Sequence, residues 1–136
     1  MGEITYSFST RGLSDRDLSG FFVGWPQPPS DAQRRRMLEA ATEVVIARDG
    51  RTLAGFITAL TDGMFVAYIP LLEVLPDFQH RGIGQALVTR MLGRLHDCYM
   101  IDLVCDGPVV GFYEQLGGQR VNGVAWRNYE RLADLT

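Results

Sequence analysis

Leu71 to Ala86 reads LLEVLPDFQHRGIGQA, an apolar run of strand character that passes through a glycine-containing loop into the start of an amphipathic helix. Strand, loop and helix N-terminus together form an anion site. The first N–H groups of a helix have no partner within it and lie at the positive end of its dipole, so a phosphate can occupy them at little cost. Glycines at 82 and 84 let a ligand approach the backbone closely. From Gln79 to Gln85 there is no acidic residue, and Arg81 adds a positive charge. Other phosphate motifs fit less well. Gly82-Ile83-Gly84-Gln85-Ala86-Leu87 lacks the third glycine of a dinucleotide fingerprint, and a Walker A loop needs a lysine that this chain does not have.

Downstream of the loop, Ile83, Leu87, Met91 and Leu95 recur at i+4 with Val88 and Leu92 beside them, which predicts a helix from Gly82 to near His96. Tyr99 to Val104 then reads as a strand. Pro108 is suited to the first turn of a further helix that carries Val109, Phe112, Tyr113 and Leu116 on one face and stops at Gly117-Gly118. Residues 119 to 130 read as one or two short strands around Asn122-Gly123.

Upstream, 43 to 48 and 51 to 60 are strand-like runs joined by Asp49-Gly50, and Asp62-Gly63 turns the chain into a third run, Met64 to Leu75. This is an antiparallel meander. Pro70 interrupts its third member, where proline is tolerated only at an edge or a bulge. Residues 3 to 9 predict a first short strand. Ser14 with Asp17 predicts a capped helix to about Phe22, and Trp25-Pro26-Gln27-Pro28-Pro29 a stiff loop. Ser30 or Asp31 caps a second helix with Ala32, Met37, Leu38 and Ala41 on its apolar side. The expectation is one α/β domain over 1–136, with a mixed, mainly antiparallel sheet and helices on both faces.

With 136 residues, 46% of them hydrophobic, the chain can close one core and has no room for a second domain. Sixteen acidic and 13 basic residues leave a net charge of -3, which argues against broad electrostatic binding to nucleic acid. All 13 basic residues are arginine, so Schiff-base chemistry on a lysine is excluded. No apolar run approaches a membrane span, and MGEITYSFST has neither a basic nor an apolar signal region, so a cytoplasmic protein with free thiols at Cys98 and Cys105 is expected. His96, Cys98 and Cys105 find no fourth ligand of convincing spacing, and no metal is expected.

Gln79-His80-Arg81-Gly82-Ile83-Gly84 resembles the Q/R-x-x-G-x-G/A signature of the GNAT superfamily of acetyl-CoA-dependent N-acetyltransferases. Phe112-Tyr113-Glu114-Gln115-Leu116-Gly117 is similar to the family's F/L-Y-x-x-x-G pattern on a later helix, and the likeness in element order covers nearly the whole chain. Asp106 stands where the family often has asparagine and Val109 where it often has alanine, so no cofactor contact is carried over from those two positions. His80 is an unusual loop residue, although a neutral imidazole still donates a hydrogen bond.

The resemblance implies transfer of the acetyl group of acetyl-CoA to an amine by direct attack in a ternary complex. It implies cofactor contacts from Val74, Leu75, Gln79, His80, Arg81, Gly82, Ile83, Gly84, Gln85 and Phe112, with backbone N–H groups near Val74 and Leu75 aimed at the thioester oxygen. Tyr113 becomes the acid that caps the departing thiolate, or else a packing residue on an apolar stripe. Glu73, a carboxylate in an apolar run, is either the base, directly or through water, or a solvent-facing strand residue. The acceptor walls implied are Phe21, Phe22, Trp25, Phe65, Trp126 and Arg127. The acceptor itself, a small amine or a protein amine, is not specified, and a homodimer is left open. The run Arg34 to Arg36 reads as a solvated helix face, or else as a patch that helps to recognise an acidic acceptor or the 3'-phosphate of CoA. The rival function is a non-catalytic CoA-binding sensor or interaction module.

Overall fold

The computed structural model describes residues 2–133, with side chains to Arg131. Strands β1 (Ile4–Ser7), β2 (Glu43–Asp49), β3 (Thr52–Thr61), β4 (Val66–Val74) and β5 (Met100–Asp102) lie in sequence order in one sheet. The first three pairings are antiparallel and β4–β5 is parallel, as a crossover helix requires. That helix is α2 (Ile83–Arg94), while α1 (Asp31–Ala40) precedes β2, and α3 (Val110–Gln115) and α4 (Tyr129–Ala133) follow β5. Among the described residues no helix is long and apolar enough to cross a membrane.

Two cores sit on opposite faces of the sheet because alternate strand residues point opposite ways. Val45, Ala47, Ile57 and Ile69 face Ile83, Leu87, Val88 and Met91 of α2. Val44, Ile46, Leu53 and Phe56 face Leu13, Leu18, Phe21, Phe22 and Leu38 on the α1 side. The predicted caps form: Ser14 and Asp17 make a reciprocal box on a 3-10 turn, Asp15–Leu18, shorter than the helix expected there. Ser30 does the same with Gln33 at the start of α1.

Pro70 lies in an irregularity of β4. Thr58 pairs with Leu71 and Leu60 with Tyr68, so β4 carries one residue more than β3 across this interval. The parallel partner is lost at the same place, since β5 pairs only with Val66, Ala67 and Tyr68. This shortens the strand expected over 99–104 to three residues: beyond Asp102 the two strands splay, and Leu103 to Asp106 have no ladder to join. The expected strands at 119–130 are absent as well. That segment runs without regular structure to α4 and is exposed throughout.

Candidate active site

The cradle is built where β4 leaves the sheet. Leu75 donates its N–H to Ala54 O at 2.9 Å, and because cross-strand bonding alternates along an antiparallel pair, the N–H of Val74 is turned away from β3 into the splay. Of the two donors expected at this position, Val74 is therefore the one aimed at the opening. Gly55 opposite makes room for this geometry, since a β-carbon there would lie 2.9 Å from Glu73 O and 3.2 Å from a Val74 methyl.

Pro76–Phe78 forms a 3-10 turn that lifts the chain off the sheet, and Gln79 Nε2 ties the loop back to Val74 O at 3.1 Å. His80 and Gly82 both adopt left-handed backbone, with φ of 64 and 79. The Arg81 guanidinium stacks on Phe78, 5.3 Å from the ring centre. Gly82 caps α2 without a side-chain hydrogen bond, its carbonyl accepts from Ala86 N–H at 3.0 Å, and no acidic residue enters the first turn. The N–H groups of Ile83, Gly84 and Gln85 thus precede the first intrahelical bond and point into the loop. At Gly84 a β-carbon would sit in ordinary contact, 3.5 Å from the Phe112 ring and 3.9 Å from Val74, so α2, α3 and β4 converge at one point.

Tyr113 follows Phe112, whose ring it meets edge-on at 5.0 Å, and it is half-buried beside Cys105. Burial, with a smaller contribution from the Cys105 thiol, raises its pKa above the usual tyrosine value, so the phenol holds its proton throughout the neutral range.

Glu73 faces the other side of the sheet, and both of its oxygens are engaged. Phe22 N–H donates to them at 2.8 and 2.9 Å and Val23 N–H to one of them at 3.3 Å. Phe22 is held left-handed at φ 66, a conformation that costs a side-chain-bearing residue ~1–2 kcal/mol, and the carboxylate stabilises it there. Trp25 packs edge-on against the Phe22 ring at 4.8 Å. Glu73, Phe22 and Trp25 are thus one assembly.

The remaining acceptor candidates do not join it. Phe21 is 3% exposed and packs on Phe56 in the core. Phe65 precedes β4 and stacks on Tyr99; eight residues of extended chain, ~26 Å, separate it from Glu73. Trp126 is 85% exposed and Arg127 lies beside it in the tail.

Two contributors escaped the sequence reading. Arg34 is no solvated arginine: it donates to Pro29 O at 2.8 Å and Leu18 O at 3.0 Å, pairs with Asp31 and lies over the Phe22 ring, so it clamps the loop that Glu73 holds from below. Arg35, by contrast, pairs with Asp15 and Glu39 on the helix surface. Gly55 is the second contributor. A glycine inside a strand run is a signal for close backbone approach, whereas nothing local marks Arg34. Among the described residues no three His, Cys, Asp or Glu side chains converge as a metal site.

The family model for the acetyltransferase (GNAT) family matches residues 11–118. An inferred acetyltransferase of Deinococcus radiodurans R1, known from a crystal structure, superimposes with a TM-score of 0.92 at 40% identity over 98% of this chain and 97% of that one. A GNAT-family acetyltransferase of Streptococcus pneumoniae TIGR4 gives a TM-score of 0.76 at 26% identity over 93% and 98%. The chloroplastic GCN5-related N-acetyltransferase 2 of Arabidopsis thaliana is 29% identical over 92% of this chain and 55% of its own length. The chain spans about half the length of the curated relatives it matches. With the family match running from the 3-10 turn through the cradle to the end of α3, the chain belongs to the GNAT family of acetyltransferases.

Proposed function

We infer that the protein transfers the acetyl group of acetyl-CoA to a primary amine by direct attack in a ternary complex. The observation that carries this is the cradle at the head of α2: three N–H groups without partners among the described residues, no acidic residue in the first turn, and an adjoining splay into which Val74 turns a fourth. These features fit a pyrophosphate and a thioester arm. The backbone from Gln79 to Gln85 would hold the former and Val74, with Phe112 alongside, the latter. Bound there, acetyl-CoA supplies an activated acetyl group.

The residues of the chain divide the remaining work. Val74 N–H is placed to stabilise charge on an oxygen in the splay. Tyr113, kept protonated by its burial, is suited to give a proton to a departing thiolate. Glu73 orders Phe22 and Val23 as a wall for the acceptor, and a base role would use the lone pairs that these N–H groups leave free, directly or through water. Trp25, packed on the buried Phe22 ring, offers the aromatic surface; small amines and protein amines both remain acceptors on this reading. The test is a panel of amines with acetyl-CoA, read as released thiol, alongside mass spectrometry of the purified protein for retained CoA. Thiol release that depends on an amine supports the transferase, whereas retained CoA without turnover on any amine would favour a sensor or interaction module.

A further inference from the structure

Residues 19–29 join the 3-10 turn Asp15–Leu18 to the cap of α1 with little backbone bonding of their own. Among the described residues only the N–H groups of Ser19, Phe21 and Trp25 in this loop reach a backbone acceptor, and Pro26, Pro28 and Pro29 have none to give. Gly20, Phe22 and Gly24 are all left-handed, with φ of 90, 66 and 83. A segment of this kind keeps its shape only when its surroundings over-determine it. Glu73 is one such constraint, bonded to Phe22 and Val23 in the middle of the loop.

Arg34 is the other, and it acts on the two ends. Its Nε–H donates to Pro29 O at 2.8 Å and its Nη1 to Leu18 O at 3.0 Å, so one guanidinium joins the residue that enters the loop to the residue that closes it. Between these anchors it lies over the Phe22 ring, 5.3 Å from the ring centre, while Trp25 meets the same ring edge-on at 4.8 Å. Leu18, Pro29 and Phe22 are buried, and Arg34 exposes only 12% of its side chain, with Asp31 at 3.3 Å to balance its charge. Holding two carbonyls at once takes a rigid planar fork, which a lysine ammonium does not offer. Arg35, one residue on, ties the same 3-10 turn to α1 from the helix surface through Asp15.

We propose that Arg34 is a positioning residue for the amine acceptor: its clasp fixes the loop in the conformation that seats Trp25 on the buried Phe22 ring and turns the Phe22 and Val23 N–H groups onto Glu73. Arg34 touches no substrate in this role. It acts through Trp25 and Glu73, on the opposite side of the sheet from α2, so a loosened clasp weakens the hold on the acceptor and leaves the cradle intact. The part played toward the acceptor rests on the transferase reading, whereas the clasp itself does not.

The test compares Arg34→Met and Arg34→Lys with Arg35→Met as control, by kinetics with an amine that the wild type acetylates, acetyl-CoA titration and amide exchange. Both Arg34 variants should raise the acceptor KM at least ~10-fold, the scale of one lost hydrogen bond from a charged donor. Acetyl-CoA affinity should not change, and exchange should quicken at Phe22 and Val23 but not at Leu87 and Met91. Arg35→Met should match wild type. An unchanged KM in a folded Arg34 variant overturns the proposal, as does exchange that quickens equally in the α2 core, which marks a general brace. Full rescue by Arg34→Lys overturns it too, because charge alone would then suffice. If neither variant folds, the wild type decides: the Arg34 Nε–H should exchange with water at least ~10-fold more slowly than that of the exposed Arg36, and equal rates overturn the clasp. A wild type that acetylates no amine overturns the transferase reading and the role toward the acceptor with it, while a slowly exchanging Arg34 Nε–H in that protein upholds the clasp.

Discussion

The chain up to Leu95 and the chain beyond it are built to different standards of closure. The first part buries two sets of side chains against opposite faces of the sheet, with Phe56, Leu38, Leu87 and Met91 wholly inaccessible. The second part contributes only partly buried groups, Ile101, Leu103, Phe112, Tyr113 and Leu116, to the edge of one core. The cradle lies at their junction, with Val74 and the loop from one part and Phe112 from the other. Such a division places most of the closed packing in the first part and leaves the second more open to solvent.

The sharpest probe of this division is Tyr113→Phe. The ring and its packing on Phe112 survive, so stability should change by at most ~1.5 kcal/mol. Loss of the acid should lower kcat by ~10²–10⁴, about 3–5 kcal/mol, with acetyl-CoA affinity within a few-fold. Because burial raises the tyrosine pKa, wild-type kcat should show no loss from its ionisation until pH exceeds the ordinary value of about 10. Normal turnover in Tyr113→Phe would remove chemistry from the second part.

Paired truncations probe the same contrast from the stability side. Leu87→Ala opens a cavity in a closed core and should cost ~2–5 kcal/mol in a denaturant titration, against ~1 kcal/mol for Leu103→Ala at the open edge. Equal costs would show that the edge is as well closed as the core.

Glu73→Gln is next, with turnover expected to fall ~10²-fold if Glu73 is the base. The substitution also replaces one of two acceptor oxygens with an N–H₂ that faces the Phe22 and Val23 donors, so the wall loosens whatever the chemistry. A deficit that shrinks as pH rises and the amine loses its own proton marks a base. A deficit independent of pH, with a raised acceptor KM and faster amide exchange at Phe22 and Val23, marks a positioning residue. A small effect is expected at the junction: Gly82→Ala meets no neighbouring atom and carries only the left-handed penalty, ~1–2 kcal/mol of stability in a denaturant titration.

The same division explains what the sequence made legible. The cap expected at Ser30 or Asp31, which falls to Ser30, the Asp49-Gly50 turn, the i+4 rows of α2 and the glycine loop before it are local patterns whose partners lie within a few residues, and the structure forms each of them. Glu73 was recognised as out of place in an apolar run, yet its partners are about fifty residues away and no spacing announces them. Arg34 looked like one of three surface arginines because its carbonyl partners, Leu18 and Pro29, carry no signature of their own. Phe21, Phe22, Trp25 and Phe65 are alike as aromatics in the sequence, and only the packing separates the buried Phe21 and Phe22 from the more exposed Trp25 and Phe65. The tail illustrates the limit most plainly: its alternation of apolar and polar residues is that of a strand, but a strand requires a partner in register, and among the described residues it pairs with none.

The direct test of the cradle is an NMR titration of uniformly ¹⁵N-labelled protein with acetyl-CoA, following backbone amides. The largest responses should fall on Ile83, Gly84 and Gln85, with Val74 and the amides around Phe112 moving in the same titration, because the ligand then spans both parts of the molecule. Saturation with the amides of Ile83, Gly84 and Gln85 unmoved would place the cofactor elsewhere and contradict the assignment.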